Sequence, residues 1–170
     1  MDLAVAPNHS QTGDSTAHAT LRSYRLGDWQ AMHALDLICF APVFQFSPGA
    51  MRGFAEAPGA VTVLAETQGL EAQVELAGFC VTQLEDRTGY VVTLDVSPAW
   101  RRRGLAQRLM AEVESRLQQA GAVHMELHVF TGNAEAIHFY EAIGYTQAAT
   151  AIDFYAQNLH ALLYRKKLPD

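Results

Sequence analysis

Between Gly89 and Phe130 the hydrophobic period changes twice, and that change restricts the folds open to the chain. GYVVTLDV is an apolar segment of strand character that stops at Ser97-Pro98; proline has no N–H to give to a ladder and suits a strand end. Leu105, Leu109, Val113 and Leu117 then recur every four residues, with Met110 and Ala120 alongside and Gly121 after them. This is the pattern of an amphipathic helix closed by glycine. VHMELHVF follows in strict alternation, with Val123, Met125, Leu127 and Val129 on one side and His124, Glu126 and His128 on the other. Elements with one apolar side must bury it against each other, so the chain predicts a sheet layered with helices, of α/β or α+β class.

The remaining segments fit the same class. LRSYRL reads as a short strand, after which Asp28 is placed to cap a helix holding Trp29, Met32, Leu35 and Leu37. FAPVFQFSPGAMRGF is aromatic and broken by proline, an irregular connection or a short helix pair. AVTVLAET and VELAGFCVTQL are strands; Asn133 can cap a short helix, AEAIHFYEAI, ended by Gly144. Residues 145–168, YTQAATAIDFYAQNLHALLYRKKL, read as two strands around a turn near Gln157-Asn158. Arg108, Glu112 and Arg116 sit four apart on the outer face of the long helix, an expected ion-pair row. Residues 1–19 are polar and aperiodic and are expected to be a mobile tail, leaving 20–170 as a single domain. With 49% hydrophobic and 18% charged residues, a domain of this size builds a core without disulfide or metal staples.

Several function classes fall away. Cys39 and Cys80 each stand alone in apolar segments, which suits a reducing compartment rather than a disulfide framework. No apolar run approaches the roughly 20 residues that span a bilayer, and the N-terminus lacks a basic start followed by an apolar run. A cytoplasmic protein without a membrane partner is expected. The net charge of −6 disfavours nucleic acid as a partner. His124 and His128 are four apart on a strand, about 13 Å, too far to share an ion. There is no CxxC pair, HExxH motif or GxSxG elbow, so neither a metal site nor a serine nucleophile is expected.

Against this acidic background stand three consecutive arginines, Arg101, Arg102 and Arg103, where a strand end passes through a loop into a helix. Positive side chains are unfavourable at a helix N-terminus, whose macrodipole is already positive. Their presence suggests a bound anion, held also by the free N–H groups of the first turn. Gly104 and Ala106 let a ligand approach the backbone closely. No GxxxxGK[ST] or GxGxxG spacing is present. An ordinary basic surface cluster fits the same residues.

The neighbouring motifs resemble those of the GNAT acetyltransferase superfamily. Its [Q/R]-x-x-G-x-[G/A] loop matches Arg101-Arg102-Arg103-Gly104-Leu105-Ala106, approached by LDVSPAW. A second motif, L-x-V-x-x-x-N-x-x-A-x-x-x-Y-x-x-x-G-[F/Y], matches LHVFTGNAEAIHFYEAIGY from Leu127 to Tyr145. The resemblance covers roughly residues 20–168. It implies a central mixed, mostly antiparallel sheet of about seven strands flanked by about four helices. It also implies acetyl-CoA as cosubstrate, with its pyrophosphate on the arginine loop. The pantetheine arm would lie between the splayed fourth and fifth strands, beside Leu94, Asp95 and Val96, with Asn133 and Tyr140 on the far side. No metal takes part.

The strings are most similar to protein N-terminal acetyltransferases, of the bacterial ribosomal-protein-alanine type and the eukaryotic type acting on methionine-starting chains. In the eukaryotic group a strand tyrosine and a strand histidine act as base, which implies those roles for Tyr90 and His128. The bacterial type has glutamate at the His128 position, a departure here. Tyr140 matches the position proposed to protonate the leaving thiolate. Strand alternation would put Tyr90, Val92, Leu94 and Val96 on one face lining the acceptor path. The loop holding Phe40, Pro42, Val43, Phe44 and Phe46, with Phe154 and Tyr155 on the last strand pair, would clamp the substrate N-terminus. Transfer to a peptide or protein N-terminal α-amine is thus the expected activity. A small-amine acceptor and a non-catalytic acetyl-CoA-binding module stand as alternatives. Many relatives dimerise, and no residue here identifies a homodimer interface.

Overall fold

The computed structural model describes residues 18–68 and 73–169. Among these residues one seven-stranded sheet runs in the order β1-β2-β3-β4-β5-β7-β6, from β1 (Thr20–Ser23), β2 (Ala60–Gln68), β3 (Val74–Glu85), β4 (Thr88–Val96), β5 (His124–Phe130), β6 (Thr146–Ala156) and β7 (Leu159–Lys167). Only the β4–β5 pairing is parallel; the others are antiparallel. Among the described residues four α-helices accompany it: α1 (Trp29–Cys39), α2 (Pro48–Ala55), α3 (Leu105–Gln119) and α4 (Ala134–Ala142), with a 3-10 turn at Pro42–Phe44 between α1 and α2. Strand and helix numbers match what the family resemblance implied.

The sheet separates two cores. On one side the heptad-like face of α3, Leu105, Leu109, Met110, Val113 and Leu117, packs with Val63, Ala65, Cys80, Val91, Met125, Leu127 and Val129. On the other side Met32, Leu35, Met51 and Ala55 of α1 and α2 meet Leu64, Phe79 and Val81. Neighbours on β2 and β3 therefore go to opposite cores, as the pleat requires.

β4 breaks that rule at one residue, and the site depends on it. Val91 pairs with Thr82 and Thr93 with Val81, so Val92 is an extra residue in the ladder, a β-bulge. Beyond it the faces exchange: Val91 belongs to the α3-side core, and so do Leu94 and Val96, whereas Val92 packs on the α1–α2 side. The expectation that Tyr90, Val92, Leu94 and Val96 share one face is corrected by this bulge. The parallel pairing of β4 with β5 runs from Thr88↔His124 to Val91↔Leu127 and goes no further among the described residues. From there β5 stays with β7 as far as Phe130↔Ala161, β4 stays with β3 as far as Val96↔Gly78, and the two strands diverge.

Three local expectations need correction. Asp28 stands at the N-terminus of α1, but its carboxylate accepts from Arg22 (2.6 and 2.9 Å) and from the Arg25 N–H (2.6 Å), not from the helix. A guanidinium fork satisfies the carboxylate better than one amide. Arg116 and Glu112 form the expected pair at 2.8 Å, but Arg108 donates instead to the Ala19 carbonyl at 2.8 Å. Ala19, placed in the tail by composition, is 2% exposed in the α3-side core; residues 1–17 of that tail lie outside the described residues.

Candidate active site

A passage opens where β4 and β5 part. Its inner end is a cavity of about 200 Å³ bordered by Phe44, Phe46, Val92, Leu94, His128 and Tyr155. Its outer end is a cleft of about 710 Å³ reaching Arg101, Arg102, Gly104, Leu105 and Ala106. Phe40, Leu94, Asn133, Ala136 and Tyr140 border both, which makes the two spaces continuous.

The outer end is cationic and rich in free backbone donors. After a 3-10 turn at Pro98–Trp100, Arg102 and Gly104 take positive φ, +60° and +75°, which turns the chain into α3. The first helical bond runs from the Arg108 N–H to the Gly104 carbonyl (3.1 Å), leaving the N–H groups of Leu105, Ala106 and Gln107 pointing off the helix end. Arg101 donates from Nε to the Val96 carbonyl at 3.2 Å, which ties the loop to the strand end. Arg103 turns away: its guanidinium lies over the Trp100 ring at 5.1 Å, and it does not border the cleft. Of the three arginines, two serve the wall.

At the inner end the Tyr90 hydroxyl and His128 Nδ1 are 3.0 Å apart. Phe154 lies flat on the imidazole, 4.1 Å between centroids and 12° between planes, and the Tyr155 hydroxyl donates to the His128 carbonyl at 3.2 Å. Burial lowers the His128 pKa below the ordinary imidazole value, with Glu126 opposing; the ring is therefore neutral at neutral pH. Burial raises the Tyr90 phenol, and Glu126 adds to it; Tyr155 is pushed up to about 12, again first by burial. Tyr90 and Phe154 touch His128 without bordering the cavity themselves. Phe44 meets Phe130 and Tyr155, each at 5.1 Å, so the loop between α1 and α2 and the β6–β7 hairpin join over the mouth.

Tyr140 borders both spaces from α4, whose start is capped by Asn133 Oδ1 accepting from the Ala136 N–H (3.0 Å). Burial raises its phenol far above the usual range, so it keeps its proton at neutral pH. Cys39 borders the outer cleft, but burial, followed by Asp95, pushes its thiol up to about 11, so it carries little thiolate.

Asp95 departs from its expected place at the cofactor. Its side chain borders neither space; it is fully buried, with Oδ1 accepting from the Thr93 hydroxyl (2.6 Å) and Oδ2 without a partner. Burial raises its pKa to about 8, and Asp36 of α1 adds to the shift. Asp36 itself was not anticipated. Fully buried, it accepts from the Phe46 N–H at 2.9 Å, while His33 Nε2 lies 3.1 Å from the Phe46 carbonyl oxygen. These two α1 residues fix the backbone of the aromatic loop. A lone acid inside the apolar run ALDLICF was the available signal, since a carboxylate is not buried without a task.

Comparison with known proteins bears on the family and the fold. The [Ribosomal protein bS18]-alanine N-acetyltransferase of Salmonella typhimurium is 31% identical over 86 residues, 51% of this chain and 58% of that protein. N-alpha-acetyltransferase 20 of Dictyostelium discoideum is 37% identical over 82 residues, 48% of this chain and 47% of that protein. The chain thus spans about half the length of the curated relatives it matches. The crystal structure of the ribosomal-protein-S18-alanine N-acetyltransferase from Escherichia coli superposes with a TM-score of 0.77 at 20% identity, covering 89% of this chain and 95% of that one; this likeness carries the fold. The model of the Acetyltransferase (GNAT) family matches residues 29–145, through both the arginine loop and the Leu127–Tyr145 motif, and the chain belongs to that family.

Proposed function

We propose that this chain is an acetyl-CoA-dependent N-acetyltransferase, acting from one domain over residues 20–170, that passes acetyl directly to the α-amine of a peptide or protein N-terminus. One observation carries the reading: a neutral histidine, hydrogen-bonded to a tyrosine and covered by aromatic rings, stands at one end of a passage whose other end is cationic. The cationic end suits a pyrophosphate. Arg101, Arg102 and the first-turn N–H groups of α3 supply charge and donors, and at Gly104 even an added Cβ would meet no heavy atom within 4 Å.

Acetyl transfer to an amine requires a proton to leave the amine and a proton to reach the departing thiolate. A peptide α-amine has a pKa of about 7.7–8.0, so a neutral imidazole is a competent base near pH 7. In that role His128 Nδ1 carries hydrogen and donates to the Tyr90 oxygen, which leaves the Nε2 lone pair to take the proton directly or through water. Tyr140, kept neutral by burial, gives its proton to the thiolate. Phe44, Phe46, Val92 and Tyr155 border the inner cavity and suit an apolar first residue. The relatives that act on ribosomal protein alanine and on N-terminal α-amines support this acceptor class. Among the described residues no helix is long and apolar enough to cross a membrane; with Cys39 and Cys80 both free, we place the protein in the cytoplasm.

The test is thiol release from acetyl-CoA with peptides starting in Met or Ala, beside a panel of small amines. Turnover on peptides that collapses in His128→Ala and falls in Tyr90→Phe is expected. Turnover confined to small amines would overturn the acceptor, and acetyl-CoA binding without turnover on any amine would overturn the enzyme.

A further inference from the structure

The hairpin that brings Phe154 and Tyr155 to His128 is not a plain ladder. Ala151 pairs with Ala161 and Ala156 with Leu159, so four residues of β6, from Ile152 to Tyr155, stand opposite the one β7 residue His160. Such an excess bows the strand outward, and a bow needs something to fix its shape. Here His160 Nδ1 accepts from the Asp153 N–H at 3.0 Å. The Asp153 carboxylate accepts from the Asn158 N–H at 2.7 Å and lies 3.4 Å from His160 Nδ1. Asp153 takes φ +54° and Asn158 φ +63°, a backbone state that Asp and Asn tolerate better than most residues. The bow thus has its own closed set of hydrogen bonds, and its next two residues land on His128, one ring stacked at 4.1 Å and one hydroxyl on the carbonyl at 3.2 Å.

We propose that Asp153 and His160 are positioning residues, a latch that holds the β6 bow in the shape that lays Phe154 over His128 and seats Tyr155 in the wall of the acceptor pocket. The inference rests on the reading of His128 as base. Neither residue borders the passage, so both act through the aromatic pair they support. Opening the latch uncovers one face of the imidazole and readmits water. The groups around that ring are Tyr90 from β4, Tyr155 from β6 and Glu126 on its own strand; with Phe154 gone, Glu126 and solvent both favour the imidazolium.

The experiment uses the full chain as wild type and as Asp153→Ala, Asp153→Asn, His160→Ala and Phe154→Ala. Two readouts are taken: the His128 titration by NMR without ligands, assigned by difference against His128→Asn, and KM for peptide and for acetyl-CoA. Asp153→Ala and His160→Ala are expected to behave like Phe154→Ala. The His128 pKa rises toward the free value of about 6.5, and peptide KM rises about fivefold, the worth of one lost aromatic contact. Acetyl-CoA KM stays put. Asp153→Asn, which keeps both the acceptor and the tolerance of positive φ, retains wild-type values. Folded variants whose His128 titration does not move overturn the latch. If Asp153→Ala does not fold, Asp153→Gly, which fits the positive φ, decides on the same readouts. Absence of peptide turnover in the wild type would instead sink the functional reading, and the titration would still judge the latch.

Discussion

Asp95 offers the sharpest test of how the sheet packs against its buried layers, because its charge state is coupled to folding. It is fully buried, one oxygen has no partner, and its pKa in the fold stands at about 8. An unfolded aspartate titrates at about 3.9. Between these values the folded chain binds a proton that the unfolded chain releases, so stability falls as pH rises. The loss is about 1.4 kcal/mol per pH unit, or about 2.6 kcal/mol between pH 5 and pH 7 once the partial titration at each end is included. Asp95→Asn keeps the shape, leaves a comparable orphan polar atom and removes the titration. Asp36, also raised by burial, is present in both proteins and largely cancels in the difference. For a chain of this size each kcal/mol moves Tm by about 2–4 °C. The Tm difference, variant minus wild type, should therefore grow by about 5–10 °C from pH 5 to pH 7. Thermal melts followed by circular dichroism at half-unit pH steps measure it. A difference that is flat or shrinks over this window would refute the buried neutral acid, whatever its absolute size.

Further outcomes follow from the base and from the arginine loop. His128→Ala should lower kcat by about 10²–10⁴, the usual worth of a positioned base. In the wild type, log kcat/KM for peptide should rise with a slope of one to a midpoint below 6.5, where the imidazole becomes the free base, stay level to about 8, and fall beyond it as the amine loses the proton that the base would take; a first midpoint above 6.5 would contradict the burial of His128. Arg101→Ala and Arg102→Ala should each raise acetyl-CoA KM roughly tenfold, the scale of a charge-assisted hydrogen bond, with peptide KM unmoved. Arg103→Ala should do far less, because its guanidinium is spent on Trp100, and equal effects from all three would count against the loop geometry.

What the sequence made legible were features in which local chemistry and packing agree. The four-residue recurrence from Leu105 to Leu117 is the buried face of α3, and the alternation of VHMELHVF survives as alternating burial along β5. Asn133 caps α4 as its position required. The arginine loop stood out because its charge opposes the helix dipole, and the family resemblance singled out Tyr90 and His128, whose hydroxyl and Nδ1 lie 3.0 Å apart. Asp28 was misjudged because a distant guanidinium outbid the local amides. Asp36 was missed because its partner, the Phe46 backbone, lies across a loop whose path no periodicity specifies.

The extra residue at Val92 explains why the remainder of the site was out of reach. A regular β4 would keep Tyr90, Val92, Leu94 and Val96 on one face and would have no reason to leave β5 after Val91. With the bulge, Leu94 and Val96 turn to the α3 side and border the passage, while Tyr90 still reaches His128 across the last paired residues. The same exchange sends Thr93 and Asp95 into the buried layer near α1, where the Thr93 hydroxyl can answer only one carboxylate oxygen. A single inserted residue thus opens the sheet, sorts which side chains border the passage and buries the half-partnered acid beneath it. The ladder that alternation assumes is the thing the site must break, so a strict period of two describes β4 only as far as the point where the chemistry begins.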